Sequence, residues 1–237
     1  MSQTRAVRTR QRLVQTAAAE FARAGYAGTS LMRICAAANM TMGALTFHFP
    51  SKRELADAVS ALGEEATRSA VAGVPGGGPP FLQAVIDVAH AVTTLLRDDA
   101  TVRAASRLCR DGDAQRRNWY RAWLPAVHEL ATQAHLNGEL RPGVAPWEVT
   151  MLVACLVTGA QPPIPWADGF TGEHPPHPSR LWTFLAHGIA ATGTQRLLRP
   201  AGAGRGGGPG LRGGTAGTPP AVPPREASGA QGSGRRP

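Results

Sequence analysis

Residues 34–55 read ICAAANMTMGALTFHFPSKREL, and this stretch decides the fold of the N-terminal part of the chain. An apolar helical segment ends at Asn39, a short helix follows and stops at Pro50, and SKRE at 51–54 has the pattern of a helix capping box. Two short helices joined by a tight connection form a helix-turn-helix, whose second helix fits the DNA major groove. The alternative is a plain amphipathic helix in a bundle, but so short a helix would add little core.

The short helix in this stretch has one face suited to packing and one suited to reading bases. At helical spacing, the packing face carries Met42, Leu45 and Phe49, and the outward face carries Gly43, Thr46 and Phe47. A glycine and short side chains let the backbone approach base edges closely, and threonine or phenylalanine can touch a thymine methyl group. The outward face is therefore predicted to read sequence.

Two cations at the start of the next helix indicate an anionic partner. Lys52 and Arg53 lie in a first helical turn, where the macrodipole disfavours positive charge. Free backbone N–H groups at this terminus, together with Lys52, would form a phosphate clamp. Arg5, Arg8 and Arg12 repeat at helical spacing, which fits either a solvated arm or further backbone contacts. The predicted DNA-contacting residues are Thr29, Ser30, Arg33, Thr41, Met42, Gly43, Ala44, Thr46, Phe47, His48 and Lys52.

Helical periodicity continues through the rest of the chain, and no alternating strand pattern competes with it. The sequence therefore predicts an all-α fold with a three-helix DNA-binding domain over 1–56, a larger helical domain over 57–198, and a disordered Gly/Pro/Arg-rich tail over 199–237. GVPGGGPP at 73–80 is interpreted as a flexible joint or an elongated loop. The predicted helices cover 4–24, 30–38, 42–49, 51–71, 80–97, 100–110, 114–137 with a kink at Pro125, 145–160 and 178–198, and a loop covers 161–178.

The formal net charge of +9 is concentrated at the two ends of the chain. Residues 1–60 carry eight Lys or Arg against three acidic residues, and residues 199–237 carry six against one. The middle of the chain is close to neutral. The basic character therefore belongs to the N-terminal module and to the tail.

Several classes of protein are disfavoured by what the sequence lacks. The three cysteines, far apart in apolar helical contexts, are predicted to be buried small side chains and not metal ligands or disulfides. The longest apolar run, at 151–157, is too short to span a bilayer, and the first residues lack the apolar core of a signal peptide, so a cytoplasmic protein without a membrane partner is expected. Since no catalytic motif occurs in the structural context that its chemistry requires, we expect no enzyme activity, cofactor or metal.

Residues 8–56 resemble the DNA-binding domain of the TetR family of bacterial repressors, through the stretch quoted above. The resemblance implies an all-helical homodimer with a small N-terminal reader domain and a larger C-terminal domain for ligand binding and dimerisation. Two residues depart from the family pattern. Thr46 stands where the family usually has a tyrosine that contacts phosphate, and Met42 stands where it frequently has a lysine. Both departures weaken the expected grip on the DNA backbone.

Residues 41–161 further resemble the gamma-butyrolactone receptor branch of that family, whose members sense small lactone hormones and control antibiotic production. The similarity lies in GALTFHFPSKREL, DDATVRAASRLCRDG, Trp119, NGELRPGVAP and LVTGAQ, in this order. It implies that Trp119 lines a pocket for a small apolar ligand and that Thr158 is a hydrogen-bond partner. A core pair of Trp119 and Trp123, four residues apart on one helix, is the alternative. The predicted ligand-binding residues are Trp119, Trp123, Leu152, Cys155 and Thr158.

The helix predicted over 145–160 supports dimerisation independently of the family. One stripe carries Val149, Leu152, Val153 and Leu156, and another carries Met151, Ala154 and Cys155. A helix that is apolar all round must be buried on two faces, here a pocket and a subunit interface that includes Leu181, Leu185 and Ile189. A two-fold dimer would present two reader helices to the half-sites of a palindromic operator, about 34–36 Å apart or a small multiple of that.

Three functions are therefore considered. The first is a repressor released from its operator by a ligand such as a gamma-butyrolactone. The second is a related regulator of the same architecture that answers to an antibiotic or a biosynthetic end product. The third, from another class, is a protein that coats nucleic acid without specificity through its basic ends.

Overall fold

The computed structural model describes residues 2–112, 118–159 and 178–202, and the regular structure of these residues is helical. One isolated β-bridge, between Leu140 and Ala190, is the exception within those ranges. The all-α prediction is confirmed. The helices are α1 (Ser2–Ala24), α2 (Leu31–Ala38), α3 (Met42–His48), α4 (Lys52–Ala72), α5 (Phe81–Asp98), α6 (Ala100–Arg110), a 3-10 helix (Trp119–Ala122), α7 (Leu124–Leu136), α8 (Pro146–Gly159), α9 (Pro178–Ile189) and α10 (Thr192–Gln195).

The first four helices share a core that a later helix completes. Phe21 of α1, Leu45 of α3 and Leu55 of α4 are fully buried in it. Ala104 and Leu108 of α6 belong to the same cluster. The helix-turn-helix therefore rests on α6 as well as on its own helices.

The helices α1–α4 are called the reader here, and side-chain caps fix where three of them begin. Ser30, Thr41 and Ser51 precede α2, α3 and α4, and each hydroxyl accepts a hydrogen bond from the backbone N–H three residues later, at 3.2, 3.2 and 3.1 Å respectively. Such caps satisfy N–H groups that have no partner within the helix. Asn39 ends α2 in the left-handed region at φ 53°, which makes the connection to α3 tight. The capping pattern read from the sequence is confirmed at Ser51.

A second core is formed by α5, α7, α8, α9 and the 3-10 helix. It contains Trp119 and Trp123, which pack with Ile86 of α5, Val127 of α7 and Val153 of α8 among other buried apolar residues. This core borders the reader along α4 and α6.

Gly63 allows α4 and α6 to cross at very short range. A Cβ atom built on Gly63 would lie 2.4 Å from the Thr101 carbonyl oxygen and 2.6 Å from the Ala105 Cβ. Both distances are far below van der Waals contact, so no side chain fits there without moving a helix. The glycine therefore sets the separation of the two helices that join the reader to the rest of the protein.

Glu139 ties the beginning of α5 to the C-terminal helices. Its carboxylate accepts hydrogen bonds from the Phe81 and Leu82 backbone N–H groups at 2.9 and 2.8 Å, and it is 3% exposed. Its backbone carbonyl accepts a further bond from the Ala191 N–H at 2.8 Å. A buried carboxylate at a helix N-terminus replaces a local cap. The NGELRPGVAP segment therefore has a structural role.

Two predicted helices differ from the structure. The helix predicted over 114–137 with a kink at Pro125 is wrong, because a 3-10 helix ends at Ala122 and α7 begins separately at Leu124. Pro125 lies in the first turn of α7, where the lack of an N–H costs nothing. The helix predicted over 178–198 ends at Ile189, and α10 follows.

Residues 113–117 and most of the predicted loop 161–178 lie outside the described residues, as do residues 203–237 of the predicted tail. The first residues assigned to that tail are described, and they contact α5. The Arg199 N–H donates to Gln83 Oε1 at 2.6 Å, and His90 Nε2 lies 2.8 Å from the Pro200 carbonyl oxygen. The domain limits at 56 and 198 remain predictions.

None of the described helices has both the length and the apolarity needed to cross a membrane. Within the same residues, no group of three or more His, Cys, Asp or Glu side chains is arranged to hold a metal ion.

Candidate DNA interface and effector site

The outward face of α3 is open to solvent, as the helical spacing predicts. Phe47 is 82% exposed, Thr46 is also exposed, and apart from the α3 backbone none of the described residues lies within 4 Å of a Cβ atom built on Gly43. Leu45 and Phe49 are buried on the opposite side. A large exposed aromatic on a short, well-capped helix is unusual for a surface that contacts only water.

Met42 and Thr46, both predicted DNA contacts, also lie on this surface. Met42 is predicted to pack inward but is 38% exposed, because α3 begins there, at the edge of the core. The Thr46 hydroxyl donates to the Met42 carbonyl at 3.0 Å, so it is engaged within the helix. Ala44 is half-buried, and so is His48, whose ring meets the Phe47 ring edge-on at 5.2 Å.

The beginnings of α2 and α3 lie beside the outward face. Ser30 and Thr41 are exposed and cap these helices. Arg33 is exposed as well, but its Nε lies 2.8 Å from Glu20 Oε2. A contact between Arg33 and a phosphate must therefore compete with this ion pair.

Thr29 is predicted to contact DNA, but the structure places it inside the turn between α1 and α2. It is 2% exposed, and its hydroxyl donates to the Gly25 carbonyl oxygen at 2.7 Å. Breaking this hydrogen bond would leave a buried polar group without a partner, so the hydroxyl stays bonded to Gly25. Thr29 therefore holds the turn, and we remove it from the candidate interface.

Lys52 lies on the face of an aromatic ring. Its Nζ is 4.3 Å from the centroid of the Tyr26 ring, which in turn stacks on Phe21 with 6.1 Å between centroids. Ammonium groups are attracted to the negative face of such rings. Tyr26 thereby restricts where the Lys52 ammonium points, next to the first turn of α4. No local sequence pattern indicates this contact, because the two residues are far apart in the chain.

The structure brings the predicted tryptophans together in the second core. The Trp119 and Trp123 rings are 5.5 Å apart at 54°, and both are fully buried. Trp119 Nε1 donates to Thr67 Oγ1 of α4 at 2.9 Å, whereas Trp123 Nε1 is buried with no hydrogen-bond partner among the described residues. They do not share a helix, since Trp123 follows the 3-10 helix that contains Trp119. An unpaired buried donor is costly, so an acceptor at this position would be stabilising.

The predicted ligand residues of α8 are not gathered around these rings as a group. Leu152 and Thr158 are half-buried, and the Thr158 hydroxyl already donates to the Ala154 carbonyl oxygen at 2.7 Å. Cys155 is exposed, so its predicted burial is wrong, while Cys35 is buried and Cys109 is intermediate. Burial raises the pKa of the Cys35 thiol.

An open cavity of about 480 Å³ lies on the side of the 3-10 helix next to α4. None of the five predicted ligand residues lines it. Its lining is mostly apolar and includes Val71, Val74, Val88, Ala122 and Leu130, with Arg68, Arg121 and Glu129 as charged members. Its size falls in the range of small-molecule sites.

Thr67 and Tyr120, which were not among the predicted site residues, also belong to the aromatic cluster around Trp119 and Trp123. Thr67 is fully buried on α4 and holds the Trp119 indole. Tyr120 contacts both tryptophan rings, with centroids 5.5 and 6.2 Å away, and burial raises the pKa of its hydroxyl. A tyrosine between two tryptophans is a signal for an aromatic cluster, whereas nothing in the sequence links Thr67 to Trp119.

An exposed apolar surface runs along α8 and α9. Val149, Val153 and Val157 are buried on one side of α8. Trp147, Met151 and Cys155, each four residues apart, are exposed on another side. Leu181 and Phe184 of α9 are exposed as well. The described chain thus leaves apolar side chains uncovered on both helices.

Comparisons with known proteins agree with these features. Residues 13–59 match the family described as bacterial regulatory proteins, tetR family. The chain is 29% identical to the A-factor receptor protein of Streptomyces griseus over 202 residues, which cover 84% of this chain and 70% of that protein.

Solved structures show the same fold. One, of a gamma-butyrolactone receptor (ArpA-like protein), superposes with a TM-score of 0.68 at 23% identity and covers 84% of this chain and 96% of that chain. Another, of TylP, a TetR regulator from Streptomyces fradiae, gives a TM-score of 0.54 at 26% identity, with coverage of 84% and 87% respectively. The chain thus carries, at residues 13–59, the N-terminal domain of the bacterial regulatory proteins of the tetR family, is similar over most of its length to the A-factor receptor protein, and shares the fold of the gamma-butyrolactone receptor structure.

Proposed function

We propose that this protein is a dimeric repressor that binds a palindromic operator and is released by a small, largely apolar ligand. The exposed outward face of α3 supports the proposal, since Phe47 is exposed there together with Met42, Gly43 and Thr46. Such a helix fits the major groove and contacts base edges and thymine methyl groups. Regulation of antibiotic or other secondary-metabolite genes in the cytoplasm is proposed from the relationship to the A-factor receptor.

A selection experiment tests sequence-specific binding. The full-length protein is incubated with a pool of random DNA duplexes, and the enriched sequences are read and titrated by gel shift. We expect an inverted repeat to be enriched and to bind about 1,000-fold or more tightly than random DNA at physiological salt. Equal affinity for both would instead support a protein that coats nucleic acid.

A matched pair of variants locates the reading surface. Phe47→Ala removes an exposed side chain, so it should leave the unfolding temperature unchanged while weakening binding to the enriched duplex by about 1–3 kcal/mol. The control is Leu62→Ala, which removes an exposed apolar side chain from α4 and leaves α3 unchanged. Loss of binding in both variants, or in neither, would contradict the assignment of α3.

The proposed effector site is the aromatic cluster around Trp119 and Trp123. Trp123 Nε1 is buried without an acceptor among the described residues, which suits a ligand with one carbonyl group and an apolar chain. Thr158, whose hydroxyl donates within α8, offers the ligand an oxygen acceptor only. Leu152 and Cys155 remain candidates for the apolar part of the site.

Two conservative variants test this site. Trp123→Phe keeps an aromatic ring but removes the unpaired N–H, and Trp119→Phe removes an N–H that already bonds Thr67. The bound duplex is titrated with butyrolactones and with the antibiotics made by the host, and the free protein with the same compounds by tryptophan fluorescence. If a lactone releases the DNA, Trp123→Phe should weaken its binding by about 5- to 50-fold and more than Trp119→Phe.

Other outcomes of this titration separate the alternatives. Release by an antibiotic and by no lactone would support the alternative function, a related regulator that answers to an antibiotic or a biosynthetic end product. If no compound changes either the fluorescence or the DNA complex, the effector site proposed here is wrong, while the selection experiment still decides whether the protein is a DNA-binding regulator.

A further inference from the structure

Asp111, directly after α6, is bonded to the turn between α1 and α2. Its Oδ2 accepts a hydrogen bond from the Tyr26 backbone N–H at 2.9 Å, across 85 residues of sequence. Its Oδ1 lies 3.4 Å from Arg107 Nε, and about a third of the side chain is exposed. A charged acceptor makes this bond stronger than one between neutral groups.

The turn has no side chain at the point where the carboxylate rests. Gly25 has φ 70°, and a Cβ atom built on it would lie 2.2 Å from Asp111 Oδ2. The carboxylate therefore occupies the space that a side chain would need. From the other side, the Thr29 hydroxyl binds the Gly25 carbonyl oxygen. The turn is thus held at two points, one within the reader and one from α6.

The residue that Asp111 binds also carries Lys52. The Tyr26 backbone N–H faces Asp111, and the Tyr26 ring lies under the Lys52 ammonium at 4.3 Å. Since the ring and the N–H belong to one residue, a displacement of the turn relative to α6 moves the ring. The ammonium then loses the surface that directs it.

We propose that Asp111 is a positioning residue for DNA binding: through Tyr26 it sets the direction of the Lys52 ammonium group toward the operator phosphate. The inference rests on the proposed function, in which Lys52 makes a phosphate contact. Asp111 itself does not touch DNA. Its effect on affinity therefore passes through Lys52 and disappears when Lys52 is removed.

A double-mutant cycle on the enriched duplex tests the DNA side of the proposal. Asp111→Ala should weaken binding by about 3- to 10-fold per half-site and lower the salt slope as Lys52→Ala does, because the phosphate contact is lost in both. In the Lys52→Ala background the same change should alter the affinity by less than about twofold. A purely structural role of Asp111 would give the same loss in both backgrounds and leave the salt slope unchanged.

Two control variants isolate the bond to Tyr26. Asp111→Asn keeps a side-chain oxygen that can accept from the Tyr26 N–H, so it should bind within about twofold of the wild type. Arg107→Ala removes a side chain that contacts Asp111 Oδ1 and leaves in place the Oδ2 atom that accepts from the Tyr26 N–H, so it too should bind almost normally. Thermal unfolding of each variant shows whether the fold is retained. A loss in Asp111→Asn as large as in Asp111→Ala would contradict the proposal.

Nuclear magnetic resonance tests the same link without DNA, so its outcome does not depend on the proposed function. In the free protein, the Tyr26 ring should shift the Lys52 ε-methylene proton resonances upfield, and Tyr26→Leu supplies the unshifted reference. Asp111→Ala should move these resonances toward that reference, and Asp111→Asn should leave them shifted. An upfield shift that survives in Asp111→Ala would overturn the proposal. If no duplex is enriched but the resonances behave as expected, the proposed function fails and the positioning of Lys52 by Asp111 stands.

Discussion

Gly43 shows how a single residue can serve binding at the expense of stability. It lies inside α3, is exposed, and has no neighbour within 4 Å of a built Cβ atom. A glycine in a helix lowers stability by about 0.5–1 kcal/mol relative to alanine. In the proposed complex with DNA, the missing side chain would let the α3 backbone approach the base edges, which would be a reason for a glycine at this position.

The first prediction follows from this position. Gly43→Ala should raise the free energy of unfolding by about 0.5–1 kcal/mol, because the added methyl group meets nothing in the free protein. It should weaken binding to the enriched duplex, because the methyl group must fit against the bases. Urea denaturation and gel-shift titration measure the two effects. Unchanged or tighter DNA binding in a stabilised variant would contradict the close approach of α3.

Glu139 is a residue whose importance lies in folding. Glu139→Ala leaves the Phe81 and Leu82 N–H groups buried without their acceptor, and it should lower the free energy of unfolding by about 2–4 kcal/mol. Glu129→Ala, at an exposed position on α7, should change it by less than about 0.5 kcal/mol. Urea denaturation of both variants gives the comparison. Similar stabilities for the two would mean that Glu139 is not a cap for α5.

At the scale of single residues, some roles could be read from the sequence and others could not. Ser51 follows the capping pattern and caps α4 as expected. Thr29 is predicted to contact DNA, but Ser30 caps α2 and the Thr29 hydroxyl donates inward to the Gly25 carbonyl oxygen. Contacts between distant residues, such as Tyr26 with Asp111 and Lys52, leave no local pattern from which to infer them.

At the scale of helices, α8 illustrates what periodicity reveals. Its apolar residues surround the axis, and the structure buries Val149, Val153 and Val157 while it exposes Trp147 and Met151. The sequence thus predicted two apolar faces correctly but could not decide which of them is covered by the same chain. The broken helix at Trp123 was missed because Pro125 fits equally an interior kink and a first turn.

The exposed face of α8 and α9 leads to a prediction about assembly. We propose that it meets the same face of a second copy, so Met151→Glu should shift the protein from dimer to monomer by placing a charge in the interface. The control is Leu136→Glu, at an exposed apolar residue at the end of α7. Light scattering after size-exclusion chromatography reports the mass, and alkylation of Cys155 should become faster in the monomer. A monomeric wild-type protein would contradict this interface.

At the scale of the whole molecule, α6 contacts both the helix-turn-helix and the aromatic cluster around Trp119 and Trp123. Its last turn reaches the reader through Asp111 and reaches the aromatic cluster through Cys109, whose Sγ lies 3.7 Å from Asn118 Oδ1, next to Trp119. At its other end α6 crosses α4 at Gly63. We propose that a ligand which binds more tightly when α6 is displaced would lower the affinity for DNA, by no more than its preference for that displaced form.

Because α6 completes the reader core, the reader should not fold by itself. A fragment of residues 1–80 lacks Ala104 and Leu108, which are buried against α1 and α4 in the intact protein, so it should melt without a cooperative transition. The full chain, measured by circular dichroism under the same conditions, should melt cooperatively. A fragment that melts sharply near the temperature of the full chain would show that α6 is dispensable for the reader.

The contribution of Ala104 and Leu108 to the reader core has a consequence during synthesis on the ribosome. The entire helix-turn-helix is translated well before these two residues, yet its hydrophobic core remains open on one side until they emerge. If the reader does not fold without α6, as predicted, we expect that a nascent chain cannot occupy its operator while the rest of the chain is still being made. Prematurely terminated chains that lack α6 should likewise be unable to act as repressors. In the proposed function, the ability to bind the operator is then acquired only together with a helix that also contacts the aromatic cluster.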